Sequence, residues 1–351
     1  MKKLLVLALG IIMMMSTIAC TSEDVTDANV FYYTYSDTYI SNVRSELGNA
    51  LKSKNIGFQD HDSNGNQTTQ TEQVQTAVTK GTKALVVNIV NTGSDDAAAG
   101  IINLAKKEDI PLIFFNREVS DSVVSGYEKC VFIGTDAEEA GHMQGEMIGE
   151  YLLENYDTVD LNGDGKISYI MLKGEEGNNE AIYRTKYSVE DANKILTEAG
   201  KPELEFYDAS NPNKYLVDKN GQWSAAAANE YMTTAMASFN EANSNMIELA
   251  ICNNDGMAEG VITALNSAGF NTGGEKSIPV FGVDATDAAK ELIKNKKMTG
   301  TIKQDAKGMA EAIAQVLENA LADKDLMADT GNLHVDDNVR KIRVPYSKYL
   351  G

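Results

Sequence analysis

Short apolar runs alternate with longer amphipathic segments along most of the chain. The runs are rich in branched and aromatic residues, as buried strands are, whereas the longer segments place apolar residues at helical spacing. Strands that alternate with helices in this way predict parallel sheets with right-handed crossovers. The predicted strands are residues 30–33, 84–89, 111–115, 131–133, 167–172, 204–208, 247–252 and 279–283. The predicted helices cover residues 40–54, 95–107, 140–151, 180–199 and 225–241, with others opening near 71, ending at 268 and beginning at 285.

The strand and helix pattern starts again near Ala140. A chain of 351 residues is long enough for two domains. The sequence therefore predicts an α/β protein with two units of similar size, each built on a parallel sheet. In open sheets of this kind, ligands bind beyond the carboxyl ends of the strands. The loops that directly follow the predicted strands are thus the expected place for a site.

Those loops carry carboxylates, amides and an arginine, without the histidine, cysteine nucleophile or glycine-rich phosphate cradle of many active sites. The polar candidates are Asp37, Asn116, Arg184, Asn254 and Asp284. These groups suit a sugar, because each sugar hydroxyl both donates and accepts a hydrogen bond. Tyr39 and Trp223, the only tryptophan, offer aromatic faces for the apolar sides of a sugar ring. Asp and Asn after strands are also common helix caps and turn residues, and this alternative stays open for each of them.

Charge and cysteine usage narrow the class of protein. The net charge of −20 argues against a nucleic-acid partner, because phosphates require a basic face. Beyond Cys20, the cysteines are Cys130 and Cys252, each inside an apolar run that resembles a strand. The sequence predicts two buried free thiols there and no disulfide.

The N-terminus has the pattern of a secretory signal peptide over residues 1–19. Lys2 and Lys3 precede an apolar run that ends at Met15, which is shorter than the roughly 20 residues that span a bilayer. The residues before Cys20 resemble a bacterial lipobox, so we expect lipidation of that cysteine; ordinary cleavage after Ala19 is the alternative. Residues 20–28 are polar and acidic, as expected for a tether to the membrane.

Residues 160–168 reproduce the first nine positions of a calcium-binding EF-hand loop. Oxygen side chains of Asp160, Asn162 and Asp164 occupy positions 1, 3 and 5, and the Lys166 carbonyl occupies position 7. Position 12, which normally supplies a bidentate glutamate, is Met171. The closing carboxylate must therefore come from elsewhere in the chain. The alternative is an Asp/Gly-rich turn that coordinates only water.

With these motifs together, the chain resembles the bacterial periplasmic glucose/galactose-binding proteins, which have the type I solute-binding fold. The resemblance runs from about residue 30 to residue 346, and its most specific stretches are 35–39, 114–118, 160–168, 172–175, 253–255 and 279–284. It implies two Rossmann-like lobes with parallel sheets, joined by a three-strand hinge near 134–136, 303–305 and 343–346. The implied N-terminal lobe is 29–133 plus 306–342, and the implied C-terminal lobe is 136–303 plus 343–351.

The resemblance also implies roles for individual residues. It assigns sugar contacts to Asp37, Tyr39, Asn116, Arg184, Trp223, Asn254 and Asp284. It adds Asn178, Glu180 and Gln304 as sugar contacts, although the family has a histidine, an aspartate and an asparagine at these positions. Glu248 corresponds to the remote glutamate that closes the calcium cage, and Ser168 replaces a glutamine ligand of the ion.

The expected function is capture of a hexose, glucose or galactose, by hinge closure and its delivery to an ABC transporter permease at the outer face of the cytoplasmic membrane. We expect a monomer with a structural Ca²⁺ and no enzymatic activity. The alternatives are another monosaccharide, such as xylose, arabinose or ribose, and a sugar sensor that docks on a chemoreceptor. A more remote alternative is a sugar-processing enzyme that uses two of Asp37, Glu180 and Asp284 as an acid/base pair.

Overall fold

The computed structural model describes residues 26–274, 276–336 and 338–351. The predicted signal peptide and Cys20 lie outside these residues. In chain order, the strands are β1 (Ala28–Tyr32), β2 (Phe58–Asp62), β3 (Ala84–Val87), β4 (Leu112–Phe115), β5 (Cys130–Gly134), β6 (Ser168–Lys173), β7 (Glu205–Phe206), β8 (Leu216–Val217), β9 (Leu249–Cys252), β10 (Val280–Asp284), β11 (Gly300–Gln304), β12 (His334–Asp336), β13 (Lys341–Arg343) and β14 (Tyr346–Tyr349).

Helices of one to six turns connect most of these strands. They are α1 (Thr38–Ser53), α2 (Gln67–Thr79), α3 (Asp96–Lys107), α4 (Asp121–Ser125), α5 (Ala137–Val159), α6 (Asn179–Glu198), α7 (Ala225–Ser238), α8 (Asp255–Ser267), α9 (Asp287–Lys294) and α10 (Ala306–Leu321). No helix in the described ranges is long and apolar enough to cross a membrane.

The strands form two separate sheets, and each sheet is the centre of one lobe. The first has the order β12-β13-β5-β4-β3-β1-β2, and the second has the order β14-β11-β10-β9-β6-β7, with β8 also beside β6. Pairing is parallel except for β12 with β13 and β14 with β11. We call the first sheet with α1–α4 and α10 the N-terminal lobe, and the second sheet with α5–α9 the C-terminal lobe.

Three neighbouring segments carry the chain between the lobes. They follow β5, β11 and β13, and hydrogen bonds join them to one another. The Val344 N–H donates to the Gly134 carbonyl at 2.8 Å. The Thr135 hydroxyl donates to the Tyr346 hydroxyl at 2.8 Å. Gln304 pairs with Tyr346 at the end of the β11–β14 ladder. Three short connections side by side form a natural hinge between two rigid bodies.

Apolar side chains cover both faces of each sheet. Along β1, for example, Val30 and Tyr32 pack with the buried face of α1 and α10, whereas Phe31 packs with α2 and α3 on the other face. This is the alternation that a strand imposes on successive side chains. Cys130 and Cys252 are free and fully buried, one in each sheet, which confirms the prediction of two buried thiols.

Two elements differ clearly from the sequence prediction. β2 lies in a segment that looks like a polar linker, and it was missed because it is a half-exposed edge strand held by its backbone pairing with β1. Helix α5 was predicted to end near 151 but continues to Val159. Leu152, Tyr156 and Val159 extend its buried stripe at helical spacing. Helix α10 and strands β11–β14 carried no strand or helix prediction.

Candidate functional site

One cavity lies between the lobes, at the carboxyl ends of the parallel strands. All ten residues predicted to contact a sugar line it: Asp37, Tyr39, Asn116, Asn178, Glu180, Arg184, Trp223, Asn254, Asp284 and Gln304. The cavity contains about 360 Å³ of space that no protein atom fills.

Three helices begin at this cavity, and their capping residues belong to its wall. Asp37 Oδ1 accepts the N–H of Ile40 at 2.8 Å at the start of α1. Asn178 caps α6 and Asn254 caps α8 in the same way, at 3.1 and 2.9 Å. The alternative that these residues are helix caps is therefore correct, but capping leaves them on the cavity wall. Each cap uses one lone pair of the side-chain oxygen, so capping by itself does not prevent the same residue from also contacting a ligand.

Three other wall residues have a backbone conformation that is rare outside glycine. The φ angles are 60° at Asn116, 54° at Trp223 and 128° at Asp284. A non-glycine residue in such a region costs on the order of 1 to 3 kcal/mol, and residues of this kind cluster at functional sites. Here the unusual backbone directs a polar or aromatic side chain toward the space between the lobes. The surrounding folded structure must hold these conformations in place.

Asp255 lies beside Asp284 and helps to hold its backbone conformation. Asp255, which is fully buried at the start of α8, accepts hydrogen bonds from the Thr301 hydroxyl at 2.6 Å and from the Thr286 N–H at 2.8 Å. It therefore ties the segments that follow β9 and β10 to the start of β11. Burial raises the pKa of Asp255 to about 7. Burial also raises the pKa of Asp284, with the charges of Asp255 and Asp37 adding to the effect and Arg184 opposing it.

The two aromatic wall residues that the sequence predicts come from different lobes. Tyr39 lies in α1 and is 5% exposed, and its hydroxyl contacts Met309 Sδ at 3.7 Å. Trp223 precedes α7, and its indole packs directly on the backbone of Gly174. A Cβ atom at position 174 would lie 2.1 Å from Cδ2 of the indole. Glycine at 174 is thus required for the observed position of the ring.

Several polar atoms in the cavity wall are buried and have no hydrogen-bond partner within the described chain. They are both carboxylate oxygens of Glu180, Nε of Arg184, Nε1 of Trp223 and Nε2 of Gln304. Each buried polar atom without a partner costs about 1 to 3 kcal/mol. Donors and acceptors of this kind around one cavity indicate a ligand that offers both, as a hydroxyl does.

Arg184 occupies the floor of the site. Its Nη1 donates to the Asn253 carbonyl at 2.8 Å, and its Nη2 donates to the Tyr346 hydroxyl at 2.9 Å. Tyr346 belongs to one of the three crossing segments, so the site arginine contacts the hinge directly. Glu180 lies on the same helix, and its pKa is raised by burial and by the charge of Glu118, with Arg184 opposing the shift.

Three wall residues were missed by the sequence prediction: Tyr33, Ile40 and Arg117. Arg117 directly follows Asn116 in a stretch that carried the family resemblance, so a signal for it was present. The Tyr33 hydroxyl donates to Asp37 Oδ2 at 2.7 Å and thereby orients that carboxylate. Asn178, in contrast, has both polar ends engaged by protein, because its Nδ2 donates to Thr92 Oγ1 at 3.3 Å.

The loop of residues 160–168 lies in the C-terminal lobe between α5 and β6, away from the cavity wall. Its first carboxylate, Asp160, accepts the N–H groups of Gly163 and Gly165, both at 2.8 Å. Glu248, which is 1% exposed, reaches the loop and accepts N–H groups from Leu161 at 2.8 Å and Asn162 at 3.2 Å. The structure thus brings the remote glutamate to the loop, as the resemblance implies.

The remaining loop side chains are also engaged by protein groups. Asn162 Nδ2 donates to Asp164 Oδ2 at 3.2 Å, the Lys166 ammonium pairs with Glu205 at 2.6 Å, and the Ser168 hydroxyl donates to the Met246 carbonyl. In the part of the chain that the structure describes, no three histidine, cysteine, aspartate or glutamate side chains are arranged to hold a metal ion.

The oxygen donors of this loop fit calcium chemistry nonetheless. They are the carboxylates, amide and carbonyl that Ca²⁺ prefers. Burial raises the pKa of Glu248, and the charge of Asp160 adds to that effect. A bound cation would stabilise these neighbouring carboxylates in their charged form.

Residues 28–325 match the periplasmic binding protein domain. The chain is 34% identical over 320 residues to the D-galactose/methyl-galactoside binding periplasmic protein of Haemophilus influenzae, an alignment that covers 90% of this chain and 87% of that protein. It is 24% identical to the D-xylose-binding periplasmic protein of Escherichia coli, over 76% of this chain and 69% of that protein.

A similar solved structure is an ABC transporter solute-binding protein from Clostridium phytofermentans with bound β-D-glucose. The two structures have a TM-score of 0.71 and 21% identity, and the superposition covers 92% of this chain and 93% of the other. At this identity the likeness concerns the fold. It confirms the predicted fold class, two α/β lobes with mostly parallel sheets.

Proposed function

Because this chain belongs to the periplasmic binding protein domain family, we propose that it captures a hexose, glucose or galactose, by closing its two lobes around the sugar. Members of this family are extracytoplasmic, and this chain is a sugar-binding protein of an ABC transporter. One observation carries the hexose proposal. Buried donors and acceptors that have no partner among the described residues converge on a single cavity between the lobes.

The wall offers what a hexose needs. Asp37, Glu180 and Asp284 supply acceptors for hydroxyl protons, while Arg184 and Gln304 supply donors for hydroxyl oxygens. Tyr39 and Trp223 supply the aromatic surface for the ring. Micromolar affinity corresponds to about 8 kcal/mol, which a few such hydrogen bonds and two ring contacts provide once closure expels water.

The choice between a hexose and a pentose depends on two longer side chains in the wall, and the relatives support a hexose. Glu180 and Gln304 are each one methylene longer than the residues of the glucose/galactose-binding proteins, so they narrow the cavity. A relative at 34% identity is named for D-galactose, which supports a hexose. A relative at 24% identity is named for D-xylose, so a pentose is the second candidate. A hexose such as galactose carries a hydroxymethyl group that a pentose such as xylose lacks. The narrowed cavity either accommodates this group or rejects it.

We infer that the protein binds its sugar without altering it. Both oxygens of Asp37 already accept hydrogen bonds from the Ile40 N–H and the Tyr33 hydroxyl, which fits a fixed acceptor better than a catalytic base. The relatives described above are binding proteins. The enzyme alternative is tested by incubation with aryl glycosides, and release of the aryl group at a rate that Asp284→Ala abolishes would establish it.

The partners follow from this function. We propose that the closed form docks as a monomer on a membrane permease of an ABC transporter, with a chemoreceptor as the alternative partner. We further propose that lipidated Cys20 anchors the protein to the outer face of the cytoplasmic membrane. Radiolabelled fatty-acid incorporation into the full chain, and its loss in Cys20→Ala, tests the anchor.

We propose that the loop of residues 160–168 binds a structural Ca²⁺ with Asp160, Asn162, Asp164, the Lys166 carbonyl and Glu248. Ser168 is the least suited member, because its hydroxyl already donates to Met246. The test is thermal unfolding in calcium and after chelation. We expect chelation to lower the melting temperature of the wild type and to have no effect in Glu248→Gln. An unchanged melting temperature in the wild type would refute the site.

The sugar assignment is tested by calorimetric titration of the calcium-loaded protein with glucose, galactose, ribose, xylose and arabinose. We expect binding of at least one hexose. Asp284→Ala should abolish that binding, whereas the matched control Asp287→Ala should retain it, because the Asp287 side chain is 97% exposed. Binding of a pentose alone would replace the hexose by the second candidate. No heat with any of the sugars would refute the assignment.

A further inference from the structure

Two polar contacts cross between the lobes beside the cavity. Arg117 Nη2, from the loop after β4, donates to Glu175 Oε2, from the loop after β6, at 2.6 Å. The side chains of this ion pair are only 5% and 18% exposed. Asn178 Nδ2 of the C-terminal lobe donates to Thr92 Oγ1 of the N-terminal lobe at 3.3 Å. Each contact has one partner in each lobe, so each exists only while the lobes are closed.

The guanidinium of Arg117 is held in place by its own lobe. Its Nε donates to the Ile89 carbonyl and its Nη2 to the Val90 carbonyl, both at 2.8 Å. The guanidinium also lies over the ring of Tyr33, with 4.3 Å between its carbon and the ring centroid. These contacts stay intact when the lobes separate. The guanidinium of Arg117 is thus held in a fixed position at the edge of the cleft.

Glu175 is bound differently. In the described chain its carboxylate accepts no hydrogen bond from the C-terminal lobe, and Arg117 is its ion-pair partner. The next residue, Glu176, is the opposite case. It pairs with Lys173 and accepts the hydroxyl of Tyr215, both in its own lobe. Of these two adjacent carboxylates, that of Glu175 therefore pairs across the cleft, whereas that of Glu176 pairs within its own lobe.

The backbones of the two lobes also approach each other closely beside these contacts. A Cβ atom at Gly177 would lie 3.1 Å from Cα of Gly93 in the opposite lobe. The loops of the two lobes approach closely here because both residues lack a side chain. The ion pair beside this close contact is mostly buried, with side chains 5% and 18% exposed, and low exposure to water strengthens the electrostatic attraction.

We propose that Arg117 and Glu175 form a cross-lobe latch that holds the cleft closed and sets how long the ligand stays bound, with Asn178 and Thr92 as a weaker second contact. Arg117 also lines the cavity, so the latch lies directly beside the ligand site. The ligand favours the closed form, and the latch adds to that preference. The identity of the ligand as a sugar rests on the proposed function. Glu175 acts as a positioning residue, since it lies outside the cavity wall.

The test compares Glu175→Gln with Glu176→Gln, which remove the same charge from adjacent positions. Because loss of Glu175 leaves the buried guanidinium without a countercharge, we expect the Kd for the hexose to rise about tenfold. The increase should be in the dissociation rate, because the latch forms after encounter. Glu176→Gln should bind within about twofold of wild type, and Glu175→Asp should fall between. Equal Kd values for all these proteins would overturn the latch.

A second readout needs no sugar. Trp223 is the only tryptophan, and its indole lies in the cleft on Gly174, so collisional quenching by acrylamide reports how open the cleft is. We expect faster quenching in sugar-free Glu175→Gln than in wild type or Glu176→Gln. The melting temperature of the sugar-free protein should be equal in the two variants, which separates a latch from a general loss of stability. A lower melting temperature in Glu175→Gln with unchanged quenching would overturn the proposal.

The two proposals fail in different ways. If the wild type binds none of the tested sugars, the proposed function is wrong, and the latch is still judged by quenching of Trp223. If the wild type binds a hexose and Glu175→Gln behaves like Glu176→Gln in both affinity and quenching, the latch is wrong and the proposed function stands.

Discussion

Replacing Gly174 by alanine is the most direct test of how the cavity positions its tryptophan. A Cβ atom at this position would lie 2.1, 2.2 and 2.5 Å from three atoms of the Trp223 indole. Carbon atoms in ordinary contact are about 3.5 to 4.0 Å apart, so the ring has to withdraw by roughly 1.4 Å or more. The Gly174 N–H, which donates to Asn253 Oδ1 at 3.1 Å, is retained in the variant. The change therefore acts on the ring and leaves the backbone hydrogen bond in place.

The expected cost is appreciable for both stability and affinity. Overpacking of this kind destabilises a folded protein by about 1 to 3 kcal/mol. In the proposed function the displaced ring also loses its contact with the sugar, worth about 0.5 to 1.5 kcal/mol, and a hydrogen bond from Nε1 to a sugar hydroxyl, worth a similar amount. At about 1.4 kcal/mol per factor of ten, we expect the Kd to rise roughly five- to a hundredfold.

Two measurements check this expectation. Calorimetric titration gives the Kd, and the fluorescence emission of Trp223 reports the move of the only indole. The matched control is Gly100→Ala in α3, where an added Cβ meets no atom within 4 Å. That variant should bind normally and gain up to about 1 kcal/mol from better helix propensity. Wild-type affinity together with wild-type emission in Gly174→Ala would refute the assigned position of the ring.

Three further expectations follow from the same structure. Gly177→Ala and Gly200→Ala place alanine at nearly equal φ angles, 76° and 75°, and each should lose about 1 to 2 kcal/mol of stability. Only Gly177→Ala should also weaken sugar binding, as measured by calorimetry, because only Gly177 contacts the opposite lobe; equal affinity in the two variants would contradict this. Between its ordinary pKa of 3.8 and about 7, Asp255 is protonated more in the folded state than in the unfolded state. The free energy of unfolding should therefore fall as the pH rises through this window. In Asp255→Asn it should fall less. Denaturant titrations at pH 4 and pH 7 measure the difference, and parallel curves for the two proteins would refute it. Burial raises the pKa of the Cys130 thiol to about 12 and that of Cys252 as well, so neither should react with a thiol reagent until the protein unfolds, and rapid labelling of the native protein would show otherwise.

Much of this architecture follows from local sequence. The strand around Val30 and the one before Asn253 were found because buried strands are continuous apolar runs. The predicted site residues meet at one cavity for a general reason, since parallel strands of one sheet end at the same edge. Asp37 and Asn254 illustrate this, because each follows a strand, caps the next helix and lines the cavity. Strand β2 was missed because an exposed edge strand needs no apolar alternation.

Local patterns along the chain therefore specify the alternation of elements, the two lobes and the kind of side chain at each strand end. Which of these side chains meet across the cleft depends on how the two lobes pack in three dimensions. The Arg117–Glu175 pair, the indole of Trp223 on Gly174, and the engagement of Asn178 by Thr92 join residues far apart in the chain. Hydrophobic periodicity acts over a few residues and specifies each element separately. Contacts between lobes depend on how two finished sheets are oriented about the hinge, and no local pattern records that orientation.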